Sequence, residues 1–189
     1  MPPKAKFTRE EVIAAALDIL RESGREAITA RALGAKLQSS ARPVFTLFSG
    51  MEEILSETEK AARRLYDGYV QAGLKEAIPF KGVGMAYLRF AQEEPKLFQF
   101  LFLSERKGTT VSILPEIDDN FEAILSSIIT SYGMDAERAK TLYLHLWIFT
   151  HGIASLVASK ACSFTEEEMS DMLTEVFIGL IIKWKGEQK

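Results

Sequence analysis

The sequence is poor in the features that staple or anchor a chain. One cysteine, Cys162, stands among 189 residues. An intrachain disulfide framework is therefore excluded, and a cysteine-based zinc site is not expected. No run of about eighteen apolar residues goes uninterrupted, so no transmembrane helix is expected. Met1-Pro2-Pro3-Lys4 leads to the charged Arg9-Glu10-Glu11 without an apolar stretch between. No secretory signal is read there, and the cytoplasm is the expected compartment. An excess of one charge is also lacking, since the net charge is -3. What is present is ordinary globular composition, 47% hydrophobic and 26% charged. The length favours one domain, or one domain with a small module at an end.

The distribution of charge says more than its sum. Residues 1 to 50 hold eight lysines and arginines against five acids, a balance of +3, while the remainder carries -6. This mild asymmetry suggests a basic binding module on an acidic body.

Helical patterning runs through the chain. Val12, Ala15, Ala16, Ile19 and Leu20 recur at three and four within residues 8 to 24. Thr8 and Glu11 fit a capping box before them, and Gly24 fits a stop after them. The same start signal stands at Ser49-Gly50-Met51-Glu52 and at Thr165-Glu166-Glu167-Glu168. Residues 51 to 76 read as a long mixed-charge helix, and 80 to 93 as another after the Ile78-Pro79 break. Pro95 opens a short aromatic helix ending near Leu103, and a polar loop follows from Ser104 to Thr110. Pro115 opens a helix that Gly133 closes, and Asp135 caps a long helix over 136 to 160. No alternating run bounded by hairpin turns occurs, so no sheet is expected. The fold class is all-α, with about nine helices. The one composition shift worth a boundary is near residue 50, which gives a module over 1–50 and a helical body over 51–189.

Residues 28 to 55 carry the functional signal. Ile28 to Leu37 reads as a short helix with Thr29 as N-cap and Leu33 and Leu37 on its buried face. Gln38-Ser39-Ser40 breaks it, and Ala41 to Phe48 reads as a second short helix with Val44, Phe45 and Phe48 apolar. Two short helices joined by a tight polar turn, behind a supporting amphipathic helix, make a helix-turn-helix module. The second helix is short enough for a major groove, and its start offers Ser39, Ser40, Ala41, Arg42 and Pro43. Arg42 and Arg31 are candidates for bases or phosphates, and Thr29, Ser40 and Thr46 offer hydroxyls to phosphates. Phe45 either packs on sugar or a thymine methyl or fills the module's core. Lys4 and Lys6 are candidate phosphate contacts on an N-terminal arm.

As a set, these residues resemble the TetR family of transcriptional regulators. The resemblance runs from about Thr8 to Leu55. It rests on the apolar face Val12, Ala15, Ala16 and Leu20, on Gly24, Ile28-Thr29 and Arg31-x-Leu33, and on Ser40-Ala41-Arg42-Pro43-Val44-Phe45-x-x-Phe48 with Glu52-Glu53-Ile54-Leu55. Trp147 and His151-Gly152 resemble a subgroup with Trp and His-Gly in its eighth helix. The sequence departs from the family at Gln38, where Gly is usual, at Leu47, where an aromatic is common, and at Met51, where Lys is common. Gly34 replaces a usual Ala and weakens its helix by about 1 kcal/mol on propensity.

The resemblance implies three things. A double-stranded operator would be read by the module. A small apolar or aromatic effector would sit among the helices that follow it, with Met85, Tyr87, Phe98, Phe102, Trp147 and His151 as candidate lining. A homodimer would form through the last two helices, whose apolar residues cover more than one stripe, with Val176, Phe177, Leu180, Ile181 and Trp184 as candidate interface. The expected function is a repressor that its ligand releases from a palindromic operator. The alternative is a helical ligand- or protein-binding module that no longer binds DNA. His145 and His151 point about 120° apart on one helix, so they do not share a metal. No metal and no cofactor are expected. No nucleophile set or phosphate loop is present, so no enzyme is expected, and no membrane association either.

Overall fold

A computed structural model describes residues 7–104 and 120–186, without the side chains of 185 and 186. Eight α-helices and no strands occur among the described residues. The chain divides into two compact units, Met1–Leu65 with Glu94–Ser104, and Tyr66–Glu93 with Glu105–Lys189. The expected loop after Ser104, the helix start at Pro115, and Lys4 and Lys6 lie outside the described residues.

In the first unit, α1 (Arg9–Ser23) begins at the capping box, where the Glu11 N–H donates to Thr8 Oγ1 and the Thr8 N–H to the Glu11 carboxylate. It buries the five apolar residues that its period marks. Gly24 ends it at φ +86°, donating its N–H to the Leu20 carbonyl. Helix α2 (Ala30–Lys36) starts where the Ala32 N–H donates to the Thr29 hydroxyl. It ends in a Schellman turn: the Gln38 N–H donates to Ala35 O, the Ser39 N–H to Gly34 O, and Gln38 sits at φ +50°. Gln38 thus occupies the left-handed backbone that glycine adopts without strain.

The second helix of the module differs from the sequence expectation. Over Ala41 to Phe48 only Val44–Thr46 is helical, a single 3-10 turn. Val44 donates to Ala41 O, Thr46 to Pro43 O and Leu47 to Val44 O, all three residues back. Pro43 has no N–H, and β-branched Val44 and Thr46 are poor helix formers, so few bonds are left to propagate an α-helix.

Helix α3 (Met51–Gly73) contributes residues to both units. It starts at Met51 as expected, but Ser49 N–H and Oγ donate to Glu53 rather than to Glu52. Helix α5 (Pro95–Phe98) runs into a π turn over Gln99–Leu103. Leu97, Phe98 and Leu101 are buried there, and Arg21 on α1 grips Glu94 through two nitrogens, at 2.9 and 2.7 Å.

The second unit is built from the end of α3 with α4 (Pro79–Glu93), α6 (Phe121–Tyr132), α7 (Ala136–Ala158) and α8 (Glu166–Gly186). Asp135 caps α7 and Gly133 ends α6 at φ +63°, as their sequence positions suggest. Thr165 and Glu168 exchange the expected capping-box bonds at α8. Helices α4 and α7 form the main packed pair, and Leu88, Phe90, Leu142 and Ile153 are buried within the unit. By length and composition alone α7 is apolar enough to cross a membrane, a test that a packed core helix also meets. Its apolar residues serve two faces: Leu142, Leu146 and Ile153 are buried, while Ile148 and Leu156 are exposed.

Gly34 has a role that propensity hides. A Cβ on it would stand 2.8 Å from Ser39 O and 3.1 Å from Ala41 N, so the turn backbone occupies the space. Gly34→Ala should therefore lower stability by about 1–2 kcal/mol, although alanine is the better helix former. Gln38→Gly should raise it by about 1 kcal/mol by relieving the left-handed backbone. Thermal melts of the two variants check both signs, and a more stable Gly34→Ala protein would contradict the packing described.

Candidate functional site

The helix-turn-helix surface sorts its basic residues into two kinds. Arg9, Arg21 and Lys36 are committed internally. Arg9 pairs with Glu53 at 2.6 Å, Arg21 with Glu94 at 2.7 Å, and Lys36 with Glu22 at 2.8 Å. Arg25, Arg31 and Arg42 are exposed and make no ion pair among the described residues. Thr29, Ser40 and Thr46 are exposed beside them, while Ser39, Ala41 and Pro43 are half-buried. Phe45 is 41% exposed, whereas Val44 and Phe48 fill the core beneath, so Phe45 is a surface ring. The Thr29 hydroxyl accepts the α2 cap bond and keeps its proton to donate. The Thr46 hydroxyl donates to Pro43 O and keeps its lone pairs.

Arg9 organises this surface from below, a role the sequence reading missed. Its guanidinium donates to Leu47 O and to Glu53, 44 residues away, and lies 4.1 Å over the Phe48 ring. One side chain thus ties α1 to the end of the 3-10 turn and the start of α3. The Ser49 amide, the Arg9 guanidinium and the Ser49 hydroxyl hold the Glu53 carboxyl at about 2, below its ordinary 4.5. A folded value below the unfolded one gives stability that is present above pH 4.5 and lost as pH falls through about 2. Glu53→Gln should therefore flatten the acid limb between those values. Urea unfolding at several pH values checks this, and an unchanged acid slope would show that the pairing carries no linkage.

The second unit holds a cavity of about 510 Å³. Seven aromatic rings line it: Tyr66, Phe80, Tyr87, Tyr132, Tyr143, Trp147 and Phe177. Helices α4, α6, α7 and α8 each supply at least one. Lys81 is the one charged side chain among the described lining residues. Behind the wall, the Tyr87 hydroxyl is hydrogen-bonded to His151 Nδ1 at 2.9 Å, and Trp147 stacks on the imidazole at 5.1 Å. Burial pushes the His151 pKa down, so the ring is neutral at pH 7.

Of the expected lining residues, Tyr87 and Trp147 reach the cavity, and His151 supports both without lining it. Met85 borders a second, more polar depression with Arg89 and Glu166. Phe98 and Phe102 belong to the first unit and do not line the cavity. Their rings meet at a tilt with centroids 5.1 Å apart, in a helix that packs against α1. On α8, Phe177 turns inward onto Tyr132, with centroids 4.9 Å apart. Val176, Leu180, Ile181 and Trp184 are half-buried. The exposed large apolar residues of the last two helices are Ile148, Leu156, Ile178 and Ile182. Among the described residues, no group of three His, Cys, Asp or Glu side chains is placed to hold a metal.

Comparison with known proteins now assigns the class. Residues 80–178 match the family model described as tetracyclin repressor-like, C-terminal domain, more than half of the chain. The fold is similar to the crystal structure of a TetR-like transcriptional regulator from Rhodococcus sp. RHA1, with a TM-score of 0.68 and 15% identity, covering 100% of this chain and 99% of that one. No curated protein matches the sequence. The chain belongs to the TetR family of transcriptional regulators.

Proposed function

We propose that the protein is a homodimeric repressor that a small apolar or aromatic molecule, bound in the aromatic cavity, releases from an inverted-repeat operator. The segregation of charge on the helix-turn-helix surface carries this reading. Arg31 and Arg42 are left for DNA, with Thr29, Ser40 and Thr46 beside them, while Arg9, Arg21 and Lys36 are paired with acids. Ligand in the cavity would favour one of two populations that differ in the spacing of the two modules. Such a regulator works where the DNA is, in the cytoplasm, and binds rather than transforms its ligand.

A gel shift with DNA from upstream of its own gene tests the reading. Arg42→Ala should weaken specific binding by about 1–3 kcal/mol if the guanidinium reads a guanine. The melting temperature should not change, because the side chain is exposed and unpaired. Log affinity should fall linearly with log salt, by about 0.9 per neutralised phosphate. A wild-type footprint from Arg42→Ala removes it as a reader, and a salt-independent affinity removes duplex binding.

A further inference from the structure

We propose that the cavity selects amphipathic monoanions, an apolar body carrying one carboxylate, with the head group held at Lys81 on the first turn of α4. This deepens the effector reading above and rests on it. The wall first fixes the body. Seven rings with Val83, Leu146 and Leu173 leave little to recognise along most of the cavity, so most of the ligand is aromatic or aliphatic.

Charge then fixes the head. Lys81 is the only ionised side chain among the described lining residues, and no carboxylate faces it there. It makes no ion pair or hydrogen bond among the described residues, although Glu76, Glu166 and Glu167 line the adjoining depression that it also borders. A cation would be repelled. A neutral apolar ligand would strip water from an ammonium and return nothing. One negative charge matches one positive charge.

The hydrogen-bond inventory points the same way. Thr150 and Thr174 spend their protons on the Leu146 and Ser170 carbonyls, at 2.6 and 2.7 Å, and Tyr87 is engaged with His151. The Trp147 indole N–H and the Tyr132 hydroxyl have no hydrogen-bond partner among the described residues. Burial pushes the Tyr132 pKa up, which keeps its proton in place to donate. The hydroxyls of Ser131, Thr150 and Thr174 can accept as well, but lysine and indole are donors only, and these two call for an acceptor-rich group. A carboxylate accepts at both oxygens.

Position adds a further reason. Lys81 is the third residue of a fifteen-residue helix whose first turn holds no acid. A lysine there opposes the helix dipole, and an anion at that end is favoured by both.

Titration of the full-length protein with matched probes tests the proposal. The probes are 4-biphenylacetate and its amide, and decanoate and decanamide, followed by calorimetry and by tryptophan fluorescence, with Trp184→Phe as background so that Trp147 alone reports. Each acid should bind at least about tenfold more tightly than its amide, the range for a charge-assisted hydrogen bond. Lys81→Met should bring the acid down to the amide's affinity and leave the amide unchanged. Lys81→Arg should keep the preference. The unchanged amide affinity also reports that the variant cavity is intact. Equal affinities for acid and amide in the wild type, or an acid preference that survives Lys81→Met, overturns the head-group assignment while leaving an apolar effector in place. Acids that bind with the expected preference but leave a DNA complex intact support the head group and overturn the effector reading. No binding of either kind up to millimolar concentration overturns both.

Discussion

Glutamate in place of Ile182 is expected to convert the protein to monomers and abolish operator binding while the chain stays folded. Ile182 is 64% exposed, so the fold loses little when it is replaced. It shares a line on α8 with Ile178, and α7 presents Ile148, Gly152 and Leu156 at intervals of four. A Cβ on Gly152 or Gly179 would meet nothing within 4 Å, so both helices offer open surface. Contiguous exposed apolar surface of this kind marks an interface. A two-fold pairing of α7 and α8 would cover it with its own copy and make a four-helix bundle. The symmetry places two new carboxylates in the contact, and each charge buried there without a partner costs several kcal/mol. Two half-sites read by one rigid dimer, about 34–36 Å apart or a multiple of it, would then be read by separate chains. Sedimentation at micromolar concentration decides the matter. A wild-type chain that sediments as a monomer, or an Ile182→Glu chain that remains dimeric, removes this interface. Phe177→Glu is the poorer test, since Phe177 packs on Tyr132 at the cavity wall and its loss would disturb the fold and the ligand site together.

Local signals were legible in the sequence. The capping residues Thr8, Thr29, Asp135 and Thr165 all form the bonds their spacing suggests, because a cap acts over three residues. The apolar face of α1 is buried as its period requires. Long-range choices were not legible. Arg9 reads as one more exposed helix-start residue until Glu53 and Leu47 are brought beside it. The aromatic helix after Pro95 reads equally well as cavity wall or core, and the Arg21–Glu94 contact, 73 residues apart, assigns it to the unit of α1. Phe177 had the same ambiguity, since periodicity names a stripe but not the neighbour that covers it. The aromatic character of the cavity was foreseeable from Tyr87 and Trp147. Lys81 was not, because a lysine beside a proline at a helix start resembles any solvated charge.

The same limit hid the tightest packing in the second unit, where alanine at Gly82 or Gly73 is expected to cost more than any surface change. A Cβ on Gly73 would lie 2.5 Å from Gly82 O and 2.8 Å from Val83 N. A Cβ on Gly82 would run into Gly73 O and the Glu76 side chain. The obstacles are mainly backbone, which cannot turn aside as a side chain can. The α3 end and the α4 start would have to part, against the turn bonds Leu74 N–H to Val70 O and Glu76 N–H to Gly73 O. Overpacking of this kind costs about 3 kcal/mol, which for a chain of this size lowers the melting temperature by about 10 °C. Helix propensity alone gives the opposite sign, about 1 kcal/mol in favour of alanine. Gly68 supplies the control: it lies within α3, and a Cβ there meets nothing within 4 Å, so Gly68→Ala should stabilise. Because Phe80, Lys81, Val83 and Gly84 line the cavity from the same turns of α4, Gly82→Ala should also weaken ligand binding, which Gly68→Ala should not. Melts of the three variants, followed by circular dichroism, decide between packing and propensity. If Gly82→Ala and Gly73→Ala melt at or above the wild-type temperature alongside Gly68→Ala, the close approach of α3 and α4 does not hold the unit together.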